Sequence, residues 1–235
     1  MKNMSIKQFQ AIIQQLDTAS VLVIDASFSK MDYVPLDLSK DNVELLEVDV
    51  SSSDDLGVYI NEHIKKKNGQ VAYGGYLETR GIYQRSTYFN EKINALNERN
   101  IHLGVDIWAD SETDVLAALD GEIHSFNNNL NHGDYGPTII LKHRIDNFTF
   151  YTLYGHLSLA SLSGLKVGMK FKKGERIAGL GTAEVNGDYP PHLHFQLILD
   201  IEKYIGDYPG VSSLNTLEFY QNNCPDPNLL LGLAK

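Results

Sequence analysis

The sequence predicts an α+β chain in which a mainly antiparallel β domain, a sandwich or partly open barrel, follows a smaller N-terminal α/β region. Three observations carry this. The first hundred residues mix helical and strand periodicities, whereas from about Gly74 short apolar runs alternate with Gly, Asn, Asp and Pro. With 235 residues, 43% of them hydrophobic, the chain can bury a sizeable core. Only 19 Gly and 7 Pro occur, which argues against a disordered or collagen-like chain.

The elements follow in order. Phe9, Ile12, Ile13 and Leu16 fall at i, i+3, i+4 and i+7, one face of a helix. Val21 to Ile24 and Val43 to Val50 read as strands. Ser53, followed by Asp54 and Asp55, starts a helix that runs from Leu56 to Lys67. Lys65 to Lys67 suit its negative end, and Asn68-Gly69 stops it. Strands are then expected at Gly121 to Phe126, Thr138 to His143, Phe148 to Tyr154, Lys170 to Phe171, Ile177 to Ala178 and His192 to Leu199. The boundary is soft, between Gly69 and Ile101, and is set at 1–90 and 91–235. The first region has no glycine-rich phosphate loop and no nucleophile motif, so it is expected to narrow or cap a cleft. The tail from Cys224 carries two prolines and an exposed-looking LLL, suited to docking on the body or on a partner.

Charge and cysteine content narrow the function. A net charge of −10 argues against a nucleic-acid partner, which needs a basic face. Cys224 stands alone, so neither an intrachain disulfide nor a Cys-based zinc finger can form. Any metal is therefore held by carboxylates and some of the eight histidines. The first twenty residues lack a continuous apolar run, and no string is long enough to span a bilayer. The expectation is a cytoplasmic protein with no membrane partner; the sequence carries no reading of oligomeric state.

Three His segments stand out: His102-Leu-Gly-Val-Asp106, Tyr154-Gly-His156-Leu-Ser158 and Pro191-His192-Leu-His194-Phe195. Taken singly, a loop histidine is more often a hydrogen-bonded structural residue. The third segment says more. On a strand, His192 and His194 share one face while Leu193 and Phe195 face the other. Two adjacent imidazoles are best rationalised as neutral metal ligands, or as one ligand and one acid/base. The His-x-x-x-Asp segment adds a nitrogen and a carboxylate oxygen. Two His and one Asp leave a fourth position open, as in catalytic zinc sites, though Mn, Co and Fe(II) accept the same donors.

These segments, in this order, resemble the M23 metallopeptidase family, the lysostaphin-type or LytM-like endopeptidases. The texture between them agrees: Ala118 to Ile123 before a hairpin, Tyr135 to His143, and Val167 to Ala178. The resemblance covers roughly residues 100 to 200. It implies Zn2+ held by His102, Asp106 and His194. It further implies that His156 and His192 are catalytic, managing the proton of the attacking water and the charge of the tetrahedral intermediate. The implied substrate is a peptide or small amide. Departures are the long acidic approach from Gly181 to Pro191, Gln196 where the family usually has Glu, and the segment Asn127 to Asp134, which enlarges a loop bordering the cleft. The tail from Gly206 to Val211 with Cys224 to Leu231 resembles a cytoplasmic branch of such domains. Two other readings compete: a non-catalytic binding module that kept the fold, and a metal-dependent hydrolase of a small non-peptide amide or ester. Metal content separates the first of these, and a substrate screen the second.

The remaining candidates have plainer readings. His124, His132 and His143 fall in or near hairpins, and His143 reads as structural. His63 reads as solvated on a surface helix. Glu78, Arg80 and Arg85 read first as a surface loop and second as an anion pocket. Tyr73, Tyr76, Tyr83 and Tyr88 read as packing residues.

Overall fold

The computed structural model describes residues 5–18, 21–85 and 96–233. Before the family-like segment lie helix α1 (Ile6–Ile13), strand β1 (Tyr33–Pro35), helix α2 (Ser53–Lys66) and strand β2 (Val71–Gly74). Then come β3 (Ile101–His102), β4 (Val105–Trp108), β5 (Asp114–Leu116), β6 (Gly121–Asn129), β7 (Gly136–Ile145) and β8 (Phe148–Gly155). The chain continues through β9 (Lys170–Phe171), β10 (Arg176–Gly179), β11 (His192–Ile198) and β12 (Val211–Ser212) to α3 (Leu217–Asn223) and α4 (Asn228–Leu231). Eight strands form one mixed, open sheet in the order β1-β2-β4-β11-β8-β7-β6-β9. Only β1 and β2 pair in parallel; the rest are antiparallel. The chain is therefore mainly β, as expected, and its sheet is not a closed barrel.

Local chemistry explains the elements. α1 begins with a capping box in which Ser5 and Gln8 satisfy each other's backbone. It buries Phe9 and Ile13, and Phe9 meets the Phe150 ring edge-on at 5.2 Å. α2 is capped by Ser52, one residue before the expected start, and ends at Asn68 in the left-handed region. β7 and β8 turn on Asp146-Asn147, with Asp146 at positive φ, which Asp tolerates.

Two expected strands are absent. Val43–Glu47 is a 3-10 turn, fixed where the Asn42 side chain accepts from the Glu44 backbone. Val43 and Leu46 consequently stay exposed. Of Val21 to Ile24, only Ile24 makes a bridge, to Val115; the Val23 carbonyl accepts from the Leu116 N–H and the Val21 N–H donates to the Thr18 carbonyl, while Val21, Val23 and Ile24 are buried in the core. In the other direction, β6 runs on to Asn129, into the segment read as a loop. The Asn129 amide there donates to Thr138 Oγ1 and the Gly206 carbonyl.

One face of the sheet carries the main core, which takes in Phe9, Val23, Ile107, Phe150, Phe195 and Leu197. The tail docks on it. Leu230 and Leu231 of the LLL run are buried there, and Lys30 Nζ donates to the Leu231 carbonyl. Regions 1–90 and 91–235 share this core and this sheet, since β2 pairs with β4 in the register Gly74↔Asp106. The sequence boundary itself, and Tyr88, lie outside the described residues, as does the Arg85 side chain. On the opposite face are two smaller clusters. One is built on Leu36, Leu56, Ile60 and Trp108, the other on Tyr135, Leu153, Ile198 and Tyr208. Among the described residues no helix is long and apolar enough to cross a membrane.

Candidate metal centre

The three His segments meet on that opposite face. β11 alternates strictly: Leu193, Phe195 and Leu197 enter the main core, so His192, His194 and Gln196 line the other side. β4 does the same with Val105 and Ile107 inward, which turns Asp106 and Trp108 outward. Antiparallel register then sets His194 opposite Asp106 and His192 opposite Trp108. On its other side His194 faces Gly155, the residue before His156. His102 ends β3, held by pairing with Val211 of β12. Gly104 allows the close approach: a Cβ there would lie 2.6 Å from His194 Cε1.

His102 Nε2, Asp106 Oδ1 and His194 Nδ1 converge. Their separations are 2.8 Å between the two imidazoles, 3.1 Å from His194 to Asp106 and 3.3 Å from His102 to Asp106. Ligands about 2.0–2.1 Å from a tetrahedral ion sit roughly 3.3 Å apart, so the set fits a divalent metal. It is a cluster able to hold one, and all three side chains are at most 3% exposed.

The remaining nitrogens fix the tautomers. A carbonyl oxygen only accepts, so the ring nitrogen facing it carries the proton. His102 Nδ1–H donates to the Gly75 carbonyl at 3.0 Å, leaving Nε2 with a lone pair. His194 Nε2–H donates to Gln196 Oε1 at 2.9 Å, leaving Nδ1 free to coordinate. The Gln196 amide is itself oriented by donating from Nε2 to the Pro209 carbonyl. A glutamate here could accept from His194 but could not donate to the Pro209 carbonyl. The Tyr135 hydroxyl lies 3.3 Å from the same His194 nitrogen.

His156 and His192 flank the trio. Their ring centroids are 4.2 Å apart, and His192 stacks on Trp108 at 5.7 Å. Each anchors Nδ1–H on a backbone carbonyl, of Asn186 and Pro190 respectively, so each turns a basic Nε2 away from its anchor. His192 Nε2 is 3.9 Å from Asp106 Oδ1. His156 adopts φ +62°, a strained left-handed backbone at the end of β8. Its N–H donates to the Tyr135 carbonyl and its carbonyl accepts from Gly181, which hold it there. The long approach to β11 is ordered by Asn186, whose side chain bonds Gly181 and Tyr189.

Electrostatics keep these groups in their useful forms. Burial pushes His102 down to about 4, lowers His192 and takes His156 well below the usual imidazole range. All three are neutral near pH 7. Burial opposes ionisation of Asp106, but His102 and the Arg80 guanidinium outweigh it and hold the carboxyl well below its usual range. Arg80, read from the sequence first as a surface loop residue, is instead buried. It is 4% exposed, donates from Nη1 to Asp106 Oδ2 at 2.5 Å, and pairs through Nε with Glu78. That leaves Asp106 Oδ1 for the metal.

Sequence reasoning missed Arg80, Tyr135 and Asn186 as parts of this centre. Gln196 was detectable, because it continues the polar face of β11 at i+2 from His194. Elsewhere His143 is structural, and His63 is bonded to the Pro35 carbonyl rather than purely solvated.

Residues 100–204 match the model of Peptidase family M23. A Haemophilus influenzae protein described as an uncharacterized metalloprotease is 32% identical over 115 residues, which is 48% of this chain and 22% of that protein. The chain thus spans about a fifth of the length of that curated relative. Among solved structures, the catalytic domain of lysostaphin from Staphylococcus simulans matches at 24% identity and a TM-score of 0.37, covering 64% of this chain and 89% of that one. The catalytic domain of a prophage-encoded M23 protein from Enterococcus faecalis matches at 22% identity and a TM-score of 0.36, covering 49% and 78%.

Proposed function

We propose that this chain, whose residues 100–204 match the model of Peptidase family M23, is a zinc-dependent hydrolase that cleaves a peptide or amide bond with water. The observation that carries the reading is the convergence of His102 Nε2, Asp106 Oδ1 and His194 Nδ1, each with its other polar atom already engaged. These three residues would hold the ion. When bound, Zn2+ supplies Lewis-acid polarisation of the scissile carbonyl and makes water more acidic.

The chain's own residues do the rest. His156 and His192, neutral and anchored through Nδ1, present Nε2 as bases to the attacking water. The imidazole that takes the proton becomes a donor. It can return that proton to the leaving amine or meet negative charge on the carbonyl oxygen. Trp108 and Tyr189 pack against His192 and keep it from rotating. Arg80 keeps Asp106 ionised and correctly turned.

The test is elemental analysis of the purified chain together with release of amines from a panel of small peptides. One equivalent of zinc and metal-dependent cleavage are expected. A protein free of divalent metal after purification in zinc-containing buffer would overturn the reading.

A further inference from the structure

The five site side chains are almost fully withdrawn from the molecular surface. None of His102, Asp106, His156, His192 and His194 is more than 5% exposed. They border a cavity of about 180 Å3. Pockets for drug-sized ligands run roughly 300–1,000 Å3, and a cavity of about 150 Å3 suffices for benzene. A cavity of that volume suits a ligand only somewhat larger than benzene.

Part of its wall lies outside the family-matched segment. Leu38, Leu56, Ile82 and Tyr83 come from before residue 100, and Tyr208 and Val211 from after residue 204. They are not loosely placed. Leu56, Ile82 and Tyr83 belong to the cluster built around Trp108, the residue that stacks on His192. Tyr208 belongs to the cluster that contains Tyr135. The segment bearing Leu38 follows β1, whose neighbour β2 is hydrogen bonded to β4 beside Asp106. The Leu38 wall is thus tied through two neighbouring strands to the strand that carries Asp106.

We propose that the site takes a small amide, with one short residue or its equivalent on each side of the scissile bond, and excludes extended peptide and polymer. The group facing Leu56 and Ile82 is apolar. This rests on the metallohydrolase reading above and narrows its substrate class.

The test uses hydroxamates, which chelate a metal whether or not hydrolysis occurs. N-acetylglycine hydroxamate and N-acetyl-tetraglycine hydroxamate are titrated by calorimetry into the zinc-loaded full chain. The short probe is expected to bind at least 100-fold more tightly. Ile82→Ala and Leu38→Ala, each checked for folding by zinc content, should narrow that gap. Equal or tighter binding of the long probe overturns the inference and leaves the hydrolase reading standing. Bound zinc with no binding of the short probe does the same, as does a gap unchanged in both variants. Absence of bound zinc overturns the hydrolase reading and this inference with it.

Discussion

His143 on β7 and His194 on β11 sit in the same sheet, equally withdrawn from water, and differ in what their second nitrogen meets. His143 donates from Nδ1 to the Asp120 carbonyl, and its Nε2 accepts from Thr152 Oγ1 at 2.7 Å. Both nitrogens are used, so it has no lone pair to offer. His194 spends one nitrogen on Gln196 and turns the other toward Asp106 and His102. Burial alone therefore does not mark a ligand. One anchored nitrogen and one lone pair aimed at other donors do, because a metal replaces hydrogen bonds that the protein leaves unmade.

The comparison breaks first on metal content. Ala at His102, Asp106 or His194 should empty the site, while His143→Ala should keep a full equivalent by elemental analysis. Metal persisting in all three ligand variants would remove the distinction. A smaller effect is expected one step out from the ligands. His192→Ala and His156→Ala should retain metal and lose roughly 10²–10⁴ in turnover, the usual worth of positioned proton transfer. A metal-free His192→Ala beside a loaded His194→Ala would exchange their roles. Next comes the anchor itself. Gln196→Leu strips His194 Nε2–H of its acceptor and should weaken zinc binding about 10–100-fold in competition with a chelator. An unchanged affinity would mean that Tyr135 orients His194 alone.

The least effect concerns His143 and pH. Burial holds its pKa at about 4 in the folded chain, against an ordinary 6.5. Below pH 6.5 the unfolded chain takes up a proton that the folded chain refuses, so stability falls as pH falls toward 4. Between pH 7 and 5.5 this one group should cost about 1 kcal/mol. Denaturant midpoints of the chain and of His143→Gln, compared at both pH values, should differ in slope by that amount. Parallel slopes would mean that His143 titrates normally.

What could be read from the sequence follows the range of the physics involved. The pairing of His192 with His194 on one face was legible because strand periodicity is local and Leu193 and Phe195 declare the buried side. Strands β7 and β8 were legible as the apolar runs Thr138 to His143 and Phe148 to Tyr154. Val43 to Val50 has a strand's composition, yet a side-chain cap two residues away outweighs it, and among the described residues it pairs with no strand. Arg80 could not be placed, since its burial depends on Asp106, 26 residues on, and on Trp108 lying under its guanidinium at 5.8 Å. The sequence led to the expectation that the first region narrows a cleft, but not to which of its residues do so; Leu38, Leu56, Ile82 and Tyr83 line the cavity beside residues of the later segments.

That position of β4, between β2 and β11, also dictates an order of assembly. A chain synthesised from its N-terminus has β2 and β4 available long before β11 emerges, about 5–20 s later at ordinary elongation rates. Through that interval one edge of β4 has no neighbour, and open edges invite pairing with other chains. Asp106 waits with it, 88 residues ahead of His194. Arg80 is already present, however, and can pair with the carboxylate before either β11 or a metal arrives. The ion pair that turns Asp106 in the finished protein is thus available during its synthesis, when the carboxylate has no other cationic partner in the sheet.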